Sequence, residues 1–288
     1  MQAKIDGVSI FYLSVGPKTG YPLIVLHGGP GLDHTMFRPW FDRLGDTFLV
    51  IYVDLRGQGR SERVDPSTLT LSQYARDVSA LAKILGLERY AVLGHSYGAF
   101  VTLAHAVEER DASHYVISHG VASGAKMMEE VRENLARFEP AELRDQVTRS
   151  WDLEPQARTT DDVERLLEMQ LPFHFAHPTG PAYREFVDNL GRAVFAPEVL
   201  AYAASHEYPI EYEDRLALIN RPTLVISADS DRTCTVRSAR DLHHGIAGSE
   251  LGIIAGAGHM SYVEAPDFYF PMVRDFLARH AFVAPPLA

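Results

Sequence analysis

The pentapeptide Gly94-His95-Ser96-Tyr97-Gly98 constrains this chain more than any other segment. It follows a short apolar run, Tyr90-Ala91-Val92-Leu93, and precedes a helical pattern from Ala99 to Glu108. A G-x-S-x-G between a buried strand and a helix predicts a sharp, strained turn that lifts the serine hydroxyl out at the carboxyl end of a sheet. Small residues flank the serine because strand and helix approach each other closely there. Five letters recur by chance. The flanking strand and helix are what make Ser96 a candidate nucleophile rather than a bystander in a glycine-bounded turn.

The remaining apolar runs supply the sheet. Leu23 to Leu26, Phe48 to Val53, Tyr115 to Ser118, Thr223 to Ser227 and Leu251 to Ile254 read as buried strands. Helical patterns separate several of them; Leu71, Tyr74, Val78, Leu81 and Leu85 recur at helical spacing. Strands alternating with helices predict an α/β fold, with a mostly parallel central sheet covered by helices on both faces. Val8 to Leu13 is expected to add an antiparallel edge.

Residues 124 to 221 break the alternation. Helical patterns run from Met127 to Phe138, Asp161 to Gln170 and Pro197 to Ala204, with no convincing buried strand. This span is read as a helical cap inserted between core strands, leaving residues 1–123 and 222–288 as the catalytic domain. It carries 19 Asp and Glu against 11 Lys and Arg, so −8 of the chain's −11 lies there. Such charge is either a solvated helical surface or a lid whose field favours cationic groups.

Composition excludes several classes. A net charge of −11 argues against nucleic acid as a partner, since that requires a basic footprint. A single cysteine, Cys234, rules out a disulfide framework within the chain and a thiolate metal site. No apolar run approaches the roughly 18 residues that span a bilayer, and Met1 to Gly7 lacks the apolar centre of a signal peptide. The expectation is a soluble, cytoplasmic protein with no membrane partner. No HExxH motif is present and no G-x-G-x-x-G follows a strand, so neither a metal nor any other cofactor is expected. Oligomeric state leaves no mark in the sequence.

A serine is a weak nucleophile until a base takes its proton, and the base needs a third group to hold its tautomer. With the nucleophile on a strand-to-helix turn, the expected chain order is serine, acid, histidine. His259, in the turn Gly256-Ala257-Gly258-His259-Met260 after the last strand, is the candidate base. Two carboxylates follow the strand Thr223 to Ser227, Asp229 and Asp231, and either meets the order. Acyl transfer also needs two backbone N–H groups aimed at the developing oxyanion. One is that of Tyr97, after the nucleophile. The other is assigned to Gly29 in His27-Gly28-Gly29-Pro30-Gly31, which ends an earlier strand.

Four segments together carry a resemblance: His27-Gly28-Gly29-Pro30-Gly31, Asp54-Leu55-Arg56-Gly57-Gln58-Gly59-Arg60-Ser61, Gly94-His95-Ser96-Tyr97-Gly98, and Gly258-His259 with Glu264-Ala265-Pro266. The chain resembles the proline iminopeptidase family of α/β-hydrolases over essentially the whole catalytic domain. The resemblance implies the α/β-hydrolase fold and a helical cap. It also places the acid at Asp231, through Ala228-Asp229-Ser230-Asp231. In peptidase members acidic cap residues bind the free α-amino group, and Glu207, near Tyr202, Tyr208 and Tyr212, is the candidate here. Two positions differ from proline-specific members: Tyr97 stands where many carry Trp, and Arg232 where some carry Glu. The leading expectation is an aminopeptidase that cleaves N-terminal residues from small peptides through an acyl-enzyme. The alternative is an esterase or lactonase on small acyl substrates; a ligand receptor with little turnover ranks below both.

Overall fold

The computed structural model describes residues 1–206 and 210–281. Its strands are β1 (Gln2–Ile5), β2 (Val8–Val15), β3 (Tyr21–Leu26), β4 (Phe48–Val53), β5 (Ala91–His95), β6 (His114–Ser118), β7 (Thr223–Ala228) and β8 (Glu250–Ile254). They form one sheet in the order β1-β2-β4-β3-β5-β6-β7-β8. From β4 to β8 every pairing is parallel; β2 joins β4 antiparallel and β1 joins β2 antiparallel. The true edge is therefore β1, and β2 is the second strand. Asp6 and Gly7 connect the two with positive φ at both residues, 48° and 82°. That is the Asp-Gly two-residue hairpin, a signal present in the sequence and passed over.

Helices α1 (Leu71–Ile84), α2 (Tyr97–Glu108) and, further along the chain, a helix over Val236–Gly245 cover one face. The opposite face is covered by Trp40–Asp46, by the C-terminal helix Pro266–Ala281, and by parts of the segment between β6 and β7. Alternation along each strand divides the side chains between the two layers. In β3, Ile24 and Leu26 face the first core while Leu23 and Val25 face the second, and all four are fully buried. Burial on both faces explains why these strands read as unbroken apolar runs rather than as alternating ones.

Between β6 and β7 the described chain adds no strand to this sheet. It forms α3 (Gly124–Ala136), α4 (Ala141–Leu153), α5 (Thr160–Gln170), α6 (Pro181–Leu190) and α7 (Pro197–Ser205). The excursion is closed at its base: Gly124 N donates to Ile210 O, and Tyr212 N to Ala122 O. From Tyr212 onward the chain packs with the core, where Tyr212, Leu216 and Ile219 join the layer under α2. Numbering of helices continues with α8 (Val236–Gly245), α9 (Ser261–Glu264) and α10 (Pro266–Ala281). Among the described residues no helix is long and apolar enough to cross a membrane.

Candidate functional site

Strand order reverses at β3, since the next two strands of the chain lie on opposite sides of it, β4 on one and β5 on the other. In open α/β sheets such a switch point leaves a crevice at the carboxyl ends of the strands. The loops after β3, β5, β6, β7 and β8 meet there.

Ser96 links β5 to α2 with φ 55° and ψ −118°, a conformation that L residues rarely adopt. Its neighbours are buried, and Ser96 alone in that run is partly exposed. The two glycines serve close approach rather than φ. A Cβ on Gly94 would overlap the Gly98 carbonyl, and a Cβ on Gly98 would overlap the carbonyl of Leu26 in β3. Tyr97 is the first residue of α2. The first turn of a helix directs its N–H groups past the N-terminus, where partial positive charge collects. Among the described residues Ser96 Oγ makes no hydrogen bond, to His259 or to any other group.

Gly29 has φ 126°, a region that favours glycine. Its loop lies against the elbow, since a Cβ on Gly28 would come 3.2 Å from Ser96 Cβ. Buried side chains anchor this loop. His27 Nδ1 donates to Gly28 O at 2.7 Å and its Nε2 accepts from Leu55 N at 3.0 Å. That pattern requires a neutral ring, and burial lowers the His27 pKa accordingly. Gln58 Oε1 accepts from Gly31 N at 2.6 Å. Asp54 accepts from His34 Nδ1 at 2.6 Å and from Arg60 N at 2.8 Å. The Asp54–Ser61 segment therefore braces the glycine loop.

On the other side, the structure brings Asp231 and not Asp229 to His259. His259 Nδ1 lies 2.9 Å from Asp231 Oδ2, with both residues buried. Asp229 is exposed, and its Oδ1 accepts from Gly256 N at 2.9 Å, closing a turn. Asp231 Oδ1 accepts from Thr233 N at 2.8 Å and Cys234 N at 3.0 Å. Burial pushes the Asp231 carboxyl up, but the electrostatic attraction and hydrogen bonds of the His259 and His119 imidazoles outweigh it and hold the group well below the usual range. An ionised carboxylate only accepts, so the proton between them sits on His259 Nδ1, and Nε2 is left as the basic nitrogen.

The sequence reading missed His119. It follows β6 with φ 53°, is fully buried, and places Nδ1 2.6 Å from the same Asp231 Oδ2. The signal that could have found it is position, one residue past a strand of the parallel sheet. His95 and His174 complete a ring of imidazoles around His259, at centroid distances of 5.0 and 5.1 Å. Burial, together with the neighbouring imidazoles, lowers His95 well below the ordinary histidine value and His174 to about 3.

The segment from β6 to β7 reaches this cluster through Phe173 to Ala176. A Cβ on Gly258 would lie 2.6 Å from Ala176 N, so only glycine fits before His259. Arg232 donates to Phe173 O at 3.2 Å and Phe175 O at 2.8 Å, tying that segment to the acid's own loop. Glu207 lies outside the described residues. A surface cleft of about 340 Å³, lined by Tyr202 and His206 among others, contains none of Ser96, Asp231 or His259. Among the described residues two groups have the donors to hold a metal ion, His119–Asp231–His259 and Asp33–His34–Asp54. In both, the close pairs are hydrogen bonds that already use those atoms.

A family profile described as alpha/beta hydrolase fold matches residues 21–266. The proline iminopeptidase PfmaB of Pestalotiopsis fici is 26% identical over 286 residues, covering 96% of this chain and 98% of that protein. Among solved structures, the proline iminopeptidase of Mycobacterium smegmatis aligns with a TM-score of 0.77 at 23% identity, covering 97% and 98% of the two chains. The enol-lactonase of Burkholderia xenovorans aligns with a TM-score of 0.69 at 25% identity, covering 96% and 100%.

Proposed function

Because this chain belongs to the alpha/beta hydrolase fold family and is a hydrolase, we propose that it is a serine hydrolase working through Ser96, His259 and Asp231. The observation that carries the reading is the buried His259–Asp231 hydrogen bond, formed at the same strand ends as the strained Ser96 turn. Ser96 Oγ attacks the substrate carbonyl carbon while His259 Nε2 takes its proton. The N–H groups of Gly29 and Tyr97 stabilise the oxyanion. His259 passes the proton to the leaving amine or alcohol, and an acyl-enzyme remains. Water then repeats the sequence and frees Ser96. Asp231 keeps His259 in the Nδ1–H tautomer and stabilises the imidazolium.

The substrate class follows from the relatives. Full-length similarity to curated proline iminopeptidases supports an aminopeptidase acting on short peptides with a free N-terminus. The helices between Gly124 and Ser205 act as a cap, bearing on His259 through Phe173 to Ala176. A cap excludes water and limits the length of what enters. The second reading, an esterase or lactonase, draws on structural neighbours of that type and uses the same groups.

A turnover panel separates the two. Prolyl and other aminoacyl arylamides, their N-acetylated forms, short acyl esters and lactones are compared at one pH. A site that pairs the α-ammonium group rejects the N-acetylated substrate by about 10² or more, because a desolvated acid is left unpaired. Equal rates on free and N-acetylated arylamides end the aminopeptidase reading and leave the esterase reading standing.

A further inference from the structure

We propose that His119 is a positioning residue for the catalytic base: its Nδ1–H shares Asp231 Oδ2 with His259 and so sets how strongly the carboxylate holds the His259 proton. The inference rests on the triad reading above and deepens it.

The geometry fixes the protons. Asp231 is ionised, so both imidazoles that face its Oδ2, at 2.6 and 2.9 Å, do so through N–H. His119 lies fully buried, and burial lowers its pKa despite the nearby carboxylate, which leaves the ring neutral. A neutral ring with its proton on Nδ1 has an acceptor at Nε2. Ser261 Oγ sits 2.7 Å from that nitrogen and donates to it. Every polar atom of His119 is thus assigned, and the ring cannot turn without losing both partners. Its backbone is held as well, because His119 N donates to Ile226 O in β7. A rigid second donor on Asp231 has two effects. It stops the carboxylate rotating away from His259, and it draws charge from the oxygen that stabilises the imidazolium.

Other groups face this pair from each neighbouring element. His95 comes from β5, Arg232 and the thiol of Cys234 from the loop after β7, and His174 from the helical segment. Of the described side chains, only His119 and His259 bond Asp231 Oδ2.

The test uses His119→Phe, which keeps a ring and removes both nitrogens, and His119→Asn. Asn tolerates positive φ and places an N–H near the position of Nδ1. The full-length enzyme is assayed from pH 5 to 9 on whichever of 4-nitrophenyl acetate or prolyl 4-nitroanilide it turns over, with Ser96→Ala as the reference. In His119→Phe, kcat falls roughly 10- to 100-fold with KM nearly unchanged. The acid limb of kcat/KM moves up by about one pH unit, because an unshared carboxylate binds the imidazolium proton more tightly. His119→Asn restores the position of the limb. A structural residue would alter stability and leave that limb in place. A His119→Phe profile that superimposes on wild type overturns the proposal. Should that variant not fold, ¹⁵N-histidine-labelled wild type decides: two carboxylate-bonded imidazole N–H protons are expected, one of them absent in His119→Asn, and a single such proton in wild type overturns it. Turnover by Ser96→Ala would instead sink the serine mechanism, and the labelled spectrum would still judge the His119 contact.

Discussion

Asp231, just past β7, and Glu154, just past α4, are two carboxyl groups drawn out of water, and they end in opposite states. Burial raises both. At Asp231 four N–H donors, two of them from imidazoles, more than offset burial, and the group stays ionised. At Glu154 a single amide, that of Gln170 at 2.5 Å, offsets little, and burial pushes the carboxyl up to about 7. The difference separates the two regions. Loops at the strand ends pair their buried charges and hold one geometry. The helical segment between β6 and β7 leaves the Glu154 carboxyl with one partner.

The largest effects belong to the strand-end loops. Ser96→Ala, His259→Ala and Asp231→Asn are each expected to lower kcat by roughly 10³- to 10⁶-fold without adding, since triad members act as a unit. Thermal unfolding should show all three still folded. Asp229→Asn is the matched control and should stay within about threefold of wild type, because its carboxylate faces the Gly256 turn. An inactive Asp229→Asn beside an active Asp231→Asn would reverse the choice of acid.

Backbone packing sharpens the same contrast. Gly98→Ala places a methyl group against the Leu26 carbonyl and should cost about 3 kcal/mol or more, or prevent folding. Gly191 ends α6 with φ −58°, is exposed, and offers a Cβ 3.6 Å of room from Asp188 O. Gly191→Ala should be neutral or stabilise by about 0.4–1 kcal/mol through the unfolded chain. Urea unfolding of both variants measures the difference; equal costs would erase it.

The smallest effect is a matter of pH and has opposite signs in the two regions. His27, His95 and His119 have folded values lowered by burial, so their stability is fully present above about 6.5 and is lost as pH falls below it. Glu154 is raised, so its contribution is present below about 4.5 and is lost as pH rises through about 7. Glu154→Gln should therefore gain stability at pH 8 and none at pH 4.5. The gain is bounded at about 3 kcal/mol, and is smaller because part of the side chain still meets solvent. Chemical denaturation at the two pH values checks it; a gain at both would show that charge is not the cause.

Local signals in the sequence determined much of this protein. Apolar runs of strand length, helical spacing after them, and glycines at Gly94 and Gly98 specified a parallel sheet with a serine at a strand-to-helix turn, because those features act within one element or one turn. The Asp6-Gly7 hairpin was equally local and went unread. The resemblance pointed to Asp231 as the acid, but in the residues themselves the partners were open, and tertiary structure decided them. Asp229 and Asp231 sit two residues apart in one loop, and only the meeting of the loops after β7 and β8 turns one toward His259 and the other toward Gly256. His119 stands 112 residues from Asp231, with no periodicity or motif joining them. A hydrogen bond between side chains on separate strands depends on sheet order and on ångström-scale orientation, and neither is written in the residues that form it.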